Sequence, residues 1–341
     1  MRRSTSLVLA GLLCGCGTSA PASSAPTAAA LHSPTATPHI TPSPPPAVTQ
    51  RFVFGADVVV DTKLAGTDDL YINPGAVIEH DGVLHMFPNS FSQWPGRMRI
   101  PHLTSTDGLT WTLDRKVKPL DSTAVKLANP GIDVSTGFVT EDGTWVLIYE
   151  TVSTSSPWVL ARATAPSPGG PWTVENTPIL EAGPVGSFDH GGITWPSVIR
   201  VGDRWAMYYA GVDAPGGSAT GSMGVAFSAD GRTWTKSAAP VLVASEKWEG
   251  RSVDRPRVAQ TPTGLVMLYT GRILTDRGLA TSTDGLAWTK VPGPNIVRSD
   301  FPIDARGSWD SALLYRANQL EYFLEIGWET TKIYRATLAW P

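Results

Sequence analysis

The sequence predicts an all-β fold, a five-bladed β-propeller that follows a signal peptide and a disordered linker. Three observations predict it. A turn phrase is written three times, as "STDGLTWTLD" (Ser105–Asp114), "SADGRTWTKS" (Ser228–Ser237) and "STDGLAWTKV" (Ser282–Val291). A strand–hairpin–strand unit recurs five times at near-equal spacing. The composition is rich in Gly (33), Pro (29) and Trp (13) but has only 17% charged residues, which suits many short strands joined by turns rather than long helices.

The chain opens with material outside the propeller. Arg2 and Arg3 precede the apolar run "LVLAGLL", too short to span a bilayer as a helix. "LCGC" (Leu13–Cys16) follows and resembles the lipobox of bacterial lipoproteins, with Cys16 as the residue that would be lipidated. Residues 1–16 therefore read as a lipoprotein signal peptide. Residues 17–50 are Pro, Ser, Thr and Ala with almost nothing to bury, a tether that stays extended. Cys14 and Cys16 are the only cysteines, so the domain beyond them can hold neither a disulfide nor a cysteine metal site. Together these features place the protein in the bacterial cell envelope, attached to a membrane through its N-terminus.

Residues 51–341 carry the repeats. Trp111, Trp234 and Trp288 are separated by 123 and 54 residues, so a copy is missing near residue 172. Trp172 stands there, after a Gly-Pro turn. A second landmark fixes the register: "NPGAVIEHDGVLHMF" (Asn73–Phe87), "STGFVTEDGTWVLIY" (Ser135–Tyr149), "WPSVIRVGDRWAMYY" (Trp195–Tyr209), "RPRVAQTPTGLVMLY" (Arg255–Tyr269) and "DSALLYRANQLEYFL" (Asp310–Leu324). Their second residues lie 62, 60, 60 and 55 positions apart. Five near-equal repeats of short strands read as a propeller. The Asp-Gly and Gly-Asp dipeptides supply the positive φ of tight hairpins. The fifth repeat ends at Pro341 with no outer strand, while "RFVFGADVVV" (Arg51–Val60) precedes the first. Pairing the two closes the ring and removes two open edges.

The repeat also separates scaffold from site. Asp107, Asp230 and Asp284 recur in the turn phrase, and Asp189, Glu249 and Asp304 each lie seven residues before the landmark; both sets read as architectural. The residues around the landmark do not recur. Asp133, Asp254 and Asp310 are acids there, with Arg255 and Arg257 beside them, and these positions are expected at the starts of the inner strands. Charge gathered on a narrow axis requires either pairing or a function. Asn73 and Trp195 stand at the same rim, and His190 lies between residues that let backbone approach a ligand. No His or Cys cluster suggests zinc, although a carboxylate-lined axis would suit calcium. A formal net charge of −3 without a basic run excludes nucleic acid as a partner.

The phrases "DGVLHMF", "DRWAMYYAG", "GLVMLYTG", "SADGRTW" and "PSPGGPW" resemble those of the five-bladed propeller glycosidases, glycoside hydrolase families 43 and 32, with family 130 as distant relatives. The resemblance covers roughly residues 51–341. It implies a monomeric hydrolase that binds carbohydrate, with one Asp as base or nucleophile, a Glu as acid and a further Asp tuning pKa. The sequence departs from that pattern: Asn73-Pro74 replaces an Asp-Pro in the first blade, and Trp195-Pro196 replaces an acid in the third. The expectation is a divergent glycosidase with Asp254, Asp310 and Asp133 as catalytic acids and Asn73, Trp195, Arg255, Arg257 and His190 binding the substrate. A surface glycan-binding lipoprotein without turnover and a propeller interaction scaffold are the alternatives.

Overall fold

The computed structural model describes residues 50–117, 120–127, 131–152, 156–214 and 219–341. The lipobox with Cys16 and all of the linker but Gln50 lie outside these. The described residues form five antiparallel sheets arranged as the blades of a propeller. Their inner strands are Tyr71–His80, Gly131–Val139, Gly192–Val201, Asp254–Thr261 and Ser311–Arg316. Each lies against the inner strand of the next blade, and that of blade five lies against that of blade one.

The core is divided in five. One apolar cluster fills each interface between neighbouring blades, for example Phe138, Val146 and Ile148 of blade two against Met207 and Tyr209 of blade three. Both faces of a blade are thus buried, which is why the second strands read as nearly unbroken apolar runs.

The recurring turn phrase belongs to these interfaces. In "SxDGxxW" the Asp carboxylate accepts two backbone N–H groups, as in Asp107 from Leu109 and Thr110 at 2.8 Å each, and Asp284 repeats this with Leu286 and Ala287. The Trp of the phrase packs on the preceding blade rather than on its own edge. Trp111 of blade one meets Phe323 of blade five edge-on at 5.7 Å, and Trp288 of blade four meets Tyr208 of blade three at 5.4 Å. Glycine is required inside the phrase for two reasons. Gly285 has φ +76°, and a Cβ there would lie 2.6 Å from the Tyr208 hydroxyl of the neighbouring blade.

The ring closes as expected. Val53–Val60 pairs antiparallel with Thr331–Ala339, so the N-terminal strand is the outer strand of blade five. Phe52 packs on Tyr322 at 5.7 Å, and Arg51 pairs with Asp300 at 2.6 Å. Deleting residues 51–60 should expose the edge of Thr331–Ala339 and strip the cover from Tyr322. The deleted protein is expected to aggregate and to melt at lower temperature; sedimentation and thermal scans beside the full chain check this.

Candidate active site on the propeller axis

The inner strands carry the site, and their irregularities aim it. Four of the five are bulged where the landmark falls: between Gly75 and Ala76, Val134 and Thr136, Thr194 and Ser197, and Asp254 and Arg257. The landmark residues of blades one to three therefore lie within strands rather than at their starts. The bulges have a further effect. Asp133, Asp254 and Asp310, three, two and one residues before the landmark's second residue, reach one level. Asp133 pairs with Glu150 and Asp254 with Thr270, while Glu325 N–H donates to the Asp310 carbonyl at 3.0 Å. Asn73 opposite Asn89, and Thr194 opposite Ala210, complete the layer.

A cavity of about 620 Å³ opens over this layer. Asn73, Asp133, Arg255, Asp310 and Glu325 are its polar residues near the axis, and Trp195, Trp158, Trp94, Trp309 and Trp328 are among its aromatic walls. Of the residues expected to form the site, Asn73, Asp133, Trp195, Arg255 and Asp310 are brought together here. Asp254 is buried but absent from the walls; it accepts from Arg255 at 2.9 Å and from Ser252 Oγ at 3.2 Å. Arg257 is also absent from them. It donates to the carbonyls of Pro256 at 2.8 Å, Trp195 at 3.3 Å and Ser311, and to Asp310 at 3.4 Å, tying three blades together. His190 is exposed on a loop, where its Nδ1 lies 2.8 Å from the Ser187 carbonyl oxygen, and it takes no part in the cavity. Among the described residues no three His, Cys, Asp or Glu side chains are grouped to hold a metal.

The acids that recur are fastened elsewhere. Asp189 accepts from Tyr209 and Lys236, and Glu249 repeats the arrangement with Tyr269 and Lys290 one blade on. Asp304 differs: it is exposed and pairs with Arg298 at 2.6 Å.

Sequence reasoning missed Glu150 and Glu325. Glu150 Oε2 accepts from Thr194 Oγ1 at 2.5 Å and from Trp195 N–H at 2.6 Å, while Oε1 has no partner. Glu325 lies beside Asp310, whose N–H donates to it at 3.3 Å. A signal existed: each is an acid directly after a run of apolar residues in a second strand, in "VLIYETV" and "YFLEIG".

The protonation of the site follows from its charges. Five buried carboxyls surround the axis (Asp133, Glu150, Asp254, Asp310, Glu325) with two guanidiniums (Arg255, Arg257). Asp254 and Asp310 are the paired ones. The other three have no cation of their own, and these three are pushed up. Burial, with the charge and hydrogen bond of Asp310, lifts Asp133 well above the usual carboxylate range. Burial raises Glu150 to about 7, against the opposing hydrogen bond from Thr194. Burial and the charge of Asp310 raise Glu325 to about 8. Such shifts are what buried carboxyls near like charge undergo.

Two residues of the site have strained backbones. Trp195 has φ +52° and Arg255 has φ +51°, the left-handed region that bulky side chains avoid. The Arg255 guanidinium stacks 3.8 Å from the centre of the Trp195 ring.

No protein-family model matches the chain. Over 68 residues it is 41% identical to the Notoamide biosynthesis cluster protein J' of Aspergillus versicolor; the match spans 20% of this chain and 18% of that protein's own length. Its similar solved structures include five-bladed propeller glycoside hydrolases of family 43. A GH43_1 enzyme from Xanthomonas citri, solved with xylotriose, has a TM-score of 0.62 at 15% identity, over 85% of this chain and 90% of that one. A glycosyl hydrolase from Bacteroides ovatus gives 0.61 at 17% identity, over 85% and 94%. A thermostable family-43 glycoside hydrolase gives 0.60 at 16% identity, over 79% and 93%. At these identities the likeness establishes the fold.

The raised carboxyls make stability depend on pH with a definite sign. The folded state holds protons on Glu150 and Glu325 where the unfolded chain, near 4.5, has lost them. The contribution of these two carboxyls to stability is therefore full below about pH 4.5 and is lost as pH rises through about 7 and 8. The melting temperature should drop between pH 5 and pH 8. Glu150→Gln and Glu325→Gln keep the neutral shape, so each should flatten that drop and melt higher than the parent at pH 8. Melting curves at both pH values test it, and a parent whose stability rises with pH contradicts it.

Proposed function

We propose that this protein is an exported carbohydrate-active propeller, a divergent glycoside hydrolase that holds its saccharide in the axial cavity. The observation that carries the reading is the cavity itself: about 620 Å³, aromatic on its walls, with protonatable carboxyls at the axis. Ring faces of Trp195 and its neighbours suit the apolar faces of sugars, while Asn73 and Arg255 suit their hydroxyls. Glu325, raised to about 8, keeps its proton at neutral pH, the condition for a general acid acting on a glycosidic oxygen, and burial beside Asp310 pushes Asp133 in the same direction. Asp310, paired with Arg257, is the carboxylate that stabilises positive charge developing on the sugar or takes a proton from water. Asp310 thereby takes the role that the family resemblance gives to an Asp at the position of Asn73. The similarity to family-43 glycoside hydrolases, one of them solved with xylotriose, supports this reading.

One observation favours a glycan-binding protein without turnover. Asn73 cannot transfer a proton, and its amide is already engaged with Asp310, Asn89 and the Gly75 N–H. A panel of aryl glycosides and polysaccharides separates the two. Under the hydrolase reading Asp310→Asn and Asp133→Asn remain folded and lose ~10²–10⁴-fold in turnover. Asp254→Asn should cost stability, by about 1.5–3 kcal/mol, without that loss of turnover: like Asp310→Asn it weakens the hold on a buried arginine, but its carboxyl lies off the cavity wall. Saccharide binding by the parent with no cleavage of any member of the panel would assign the chain to binding alone.

Export and anchoring through Cys16 are part of the proposal, supported by the Leu13–Cys16 lipobox and the Pro-rich tether. Cys16→Ser should move the protein from the membrane fraction to the soluble one and abolish lipid labelling. Unchanged fractionation and labelling would refute it.

A further inference from the structure

The floor of the axial cavity holds more acid than the described cations pair. Both guanidiniums are engaged: Arg255 with Asp254 at 2.9 Å, and Arg257 with Asp310 at 3.4 Å. Asp133 and Glu325 line the cavity with no cation paired to either. Asp133 is 2% exposed, and its Oδ1 is buried with no hydrogen-bond partner. A carboxyl buried without a cation, with one oxygen lacking a donor, is costly unless it holds a proton or a positive charge comes close.

The walls favour the same ligand charge. Seven of the fourteen lining residues are aromatic. Aromatic faces attract cations, and Arg255 over Trp195 already makes such a contact inside this cavity. Carboxyls at the base and aromatic rings above them are the chemistry that recognises an organic cation. An anion is answered less well, because Arg255, the guanidinium among the described lining residues, already pairs with Asp254 and stacks on Trp195, and its Nε, which has no partner, is buried.

We propose that the saccharide taken by this cavity carries a protonated amine: an amino sugar without an N-acetyl group, its ammonium seated against Asp133 and Glu325. This rests on the carbohydrate reading above and names the substrate class. Binding exchanges one cation for another. The ammonium keeps its proton, the floor carboxyl ionises, and the carboxyl proton leaves to solvent. No bond of the sugar changes in this step. A neutral sugar of the same shape forms no such pair and releases no proton.

The test is titration calorimetry at pH 6 with glucosamine, N-acetylglucosamine and glucose, in two buffers of different ionisation enthalpy. Glucosamine is expected to bind at least ~10-fold tighter than either neutral sugar, to release about one proton, and to tighten between pH 5 and pH 7. Asp133→Asn should erase most of that preference. Melting curves establish that the variant is folded; if it is not, the proton count and pH dependence of the parent decide alone. Equal affinity for the three sugars, no binding of any of them, or binding without proton release overturns the proposal. Cleavage of neutral aryl glycosides with no amine preference overturns it while leaving the hydrolase reading intact. Amine preference with no cleavage of any glycoside supports it and moves the chain to glycan binding.

Discussion

Five inner strands share one axis, and everything distinctive about this protein follows from that convergence. Side chains at a common level are pressed together where water is scarce. The layer here contains Asn73, Asp133, Thr194, Asp254 and Asp310, with Glu150 and Glu325 from the second strands behind it. Such a layer has two ways to remain neutral: pair the acids with cations, or keep their protons. The chain uses both. Arg257 is central to the first, because it also donates to carbonyls of blades three, four and five and so ties the ring together from inside. Burial pushes Asp133, Glu150 and Glu325 toward the protonated form, and that is the second.

The strain at Trp195 and Arg255 belongs to the same arrangement. A non-glycine residue held at positive φ costs of order 1–3 kcal/mol. Here two such residues face each other, and each is held by a buried acid: Glu150 accepts the N–H of Trp195, and Asp254 accepts the guanidinium of Arg255. The five apolar clusters between blades stabilise a frame rigid enough to hold both. The strained pair lines the cavity. This is the usual location of stored strain, where a side chain must point to a place that regular strand geometry would not give it.

Much of the fold was legible because a propeller repeats. The turn phrase, the landmark and the orphan strand Arg51–Val60 gave five blades and their closure from spacing alone. The site was legible only in part. Spacing distinguished Asp133, Asp254 and Asp310 as acids that break the repeat, but counting along the chain placed them at three different offsets. Bulges, which have no fixed sequence mark, bring them to one level. Counting also could not tell which side of an inner strand faces the cavity, so Asp254 and Arg257 looked equivalent to Asp310 and Arg255. Glu150 and Glu325 escaped because the search followed the inner strands. In blades two to five the second-strand member of the layer is the residue after the landmark's end: Glu150, Ala210, Thr270 and Glu325. Read in that register, an acid in two blades facing small residues in two others is visible in the sequence.

The contrast between the two kinds of buried acid carries the functional argument further than the cavity does. Asp189 and Glu249 each have a Tyr hydroxyl and a Lys ammonium, and the arrangement recurs from blade to blade; burial there costs little because every charge is answered. The fold can therefore satisfy a buried carboxylate when structure is all that is required. Along the axis it does not. Asp133 and Glu325 line the cavity, a buried oxygen of Asp133 has no donor, and among the described residues neither acid has a paired cation. By the cost of burying unpaired charge, amides or small residues at these positions would be more stable at neutral pH, and blades one and three carry such residues at this level, Asn73 opposite Asn89 and Thr194 opposite Ala210. Acids left unpaired there cost stability as pH rises, a cost that the paired acids between the blades do not carry.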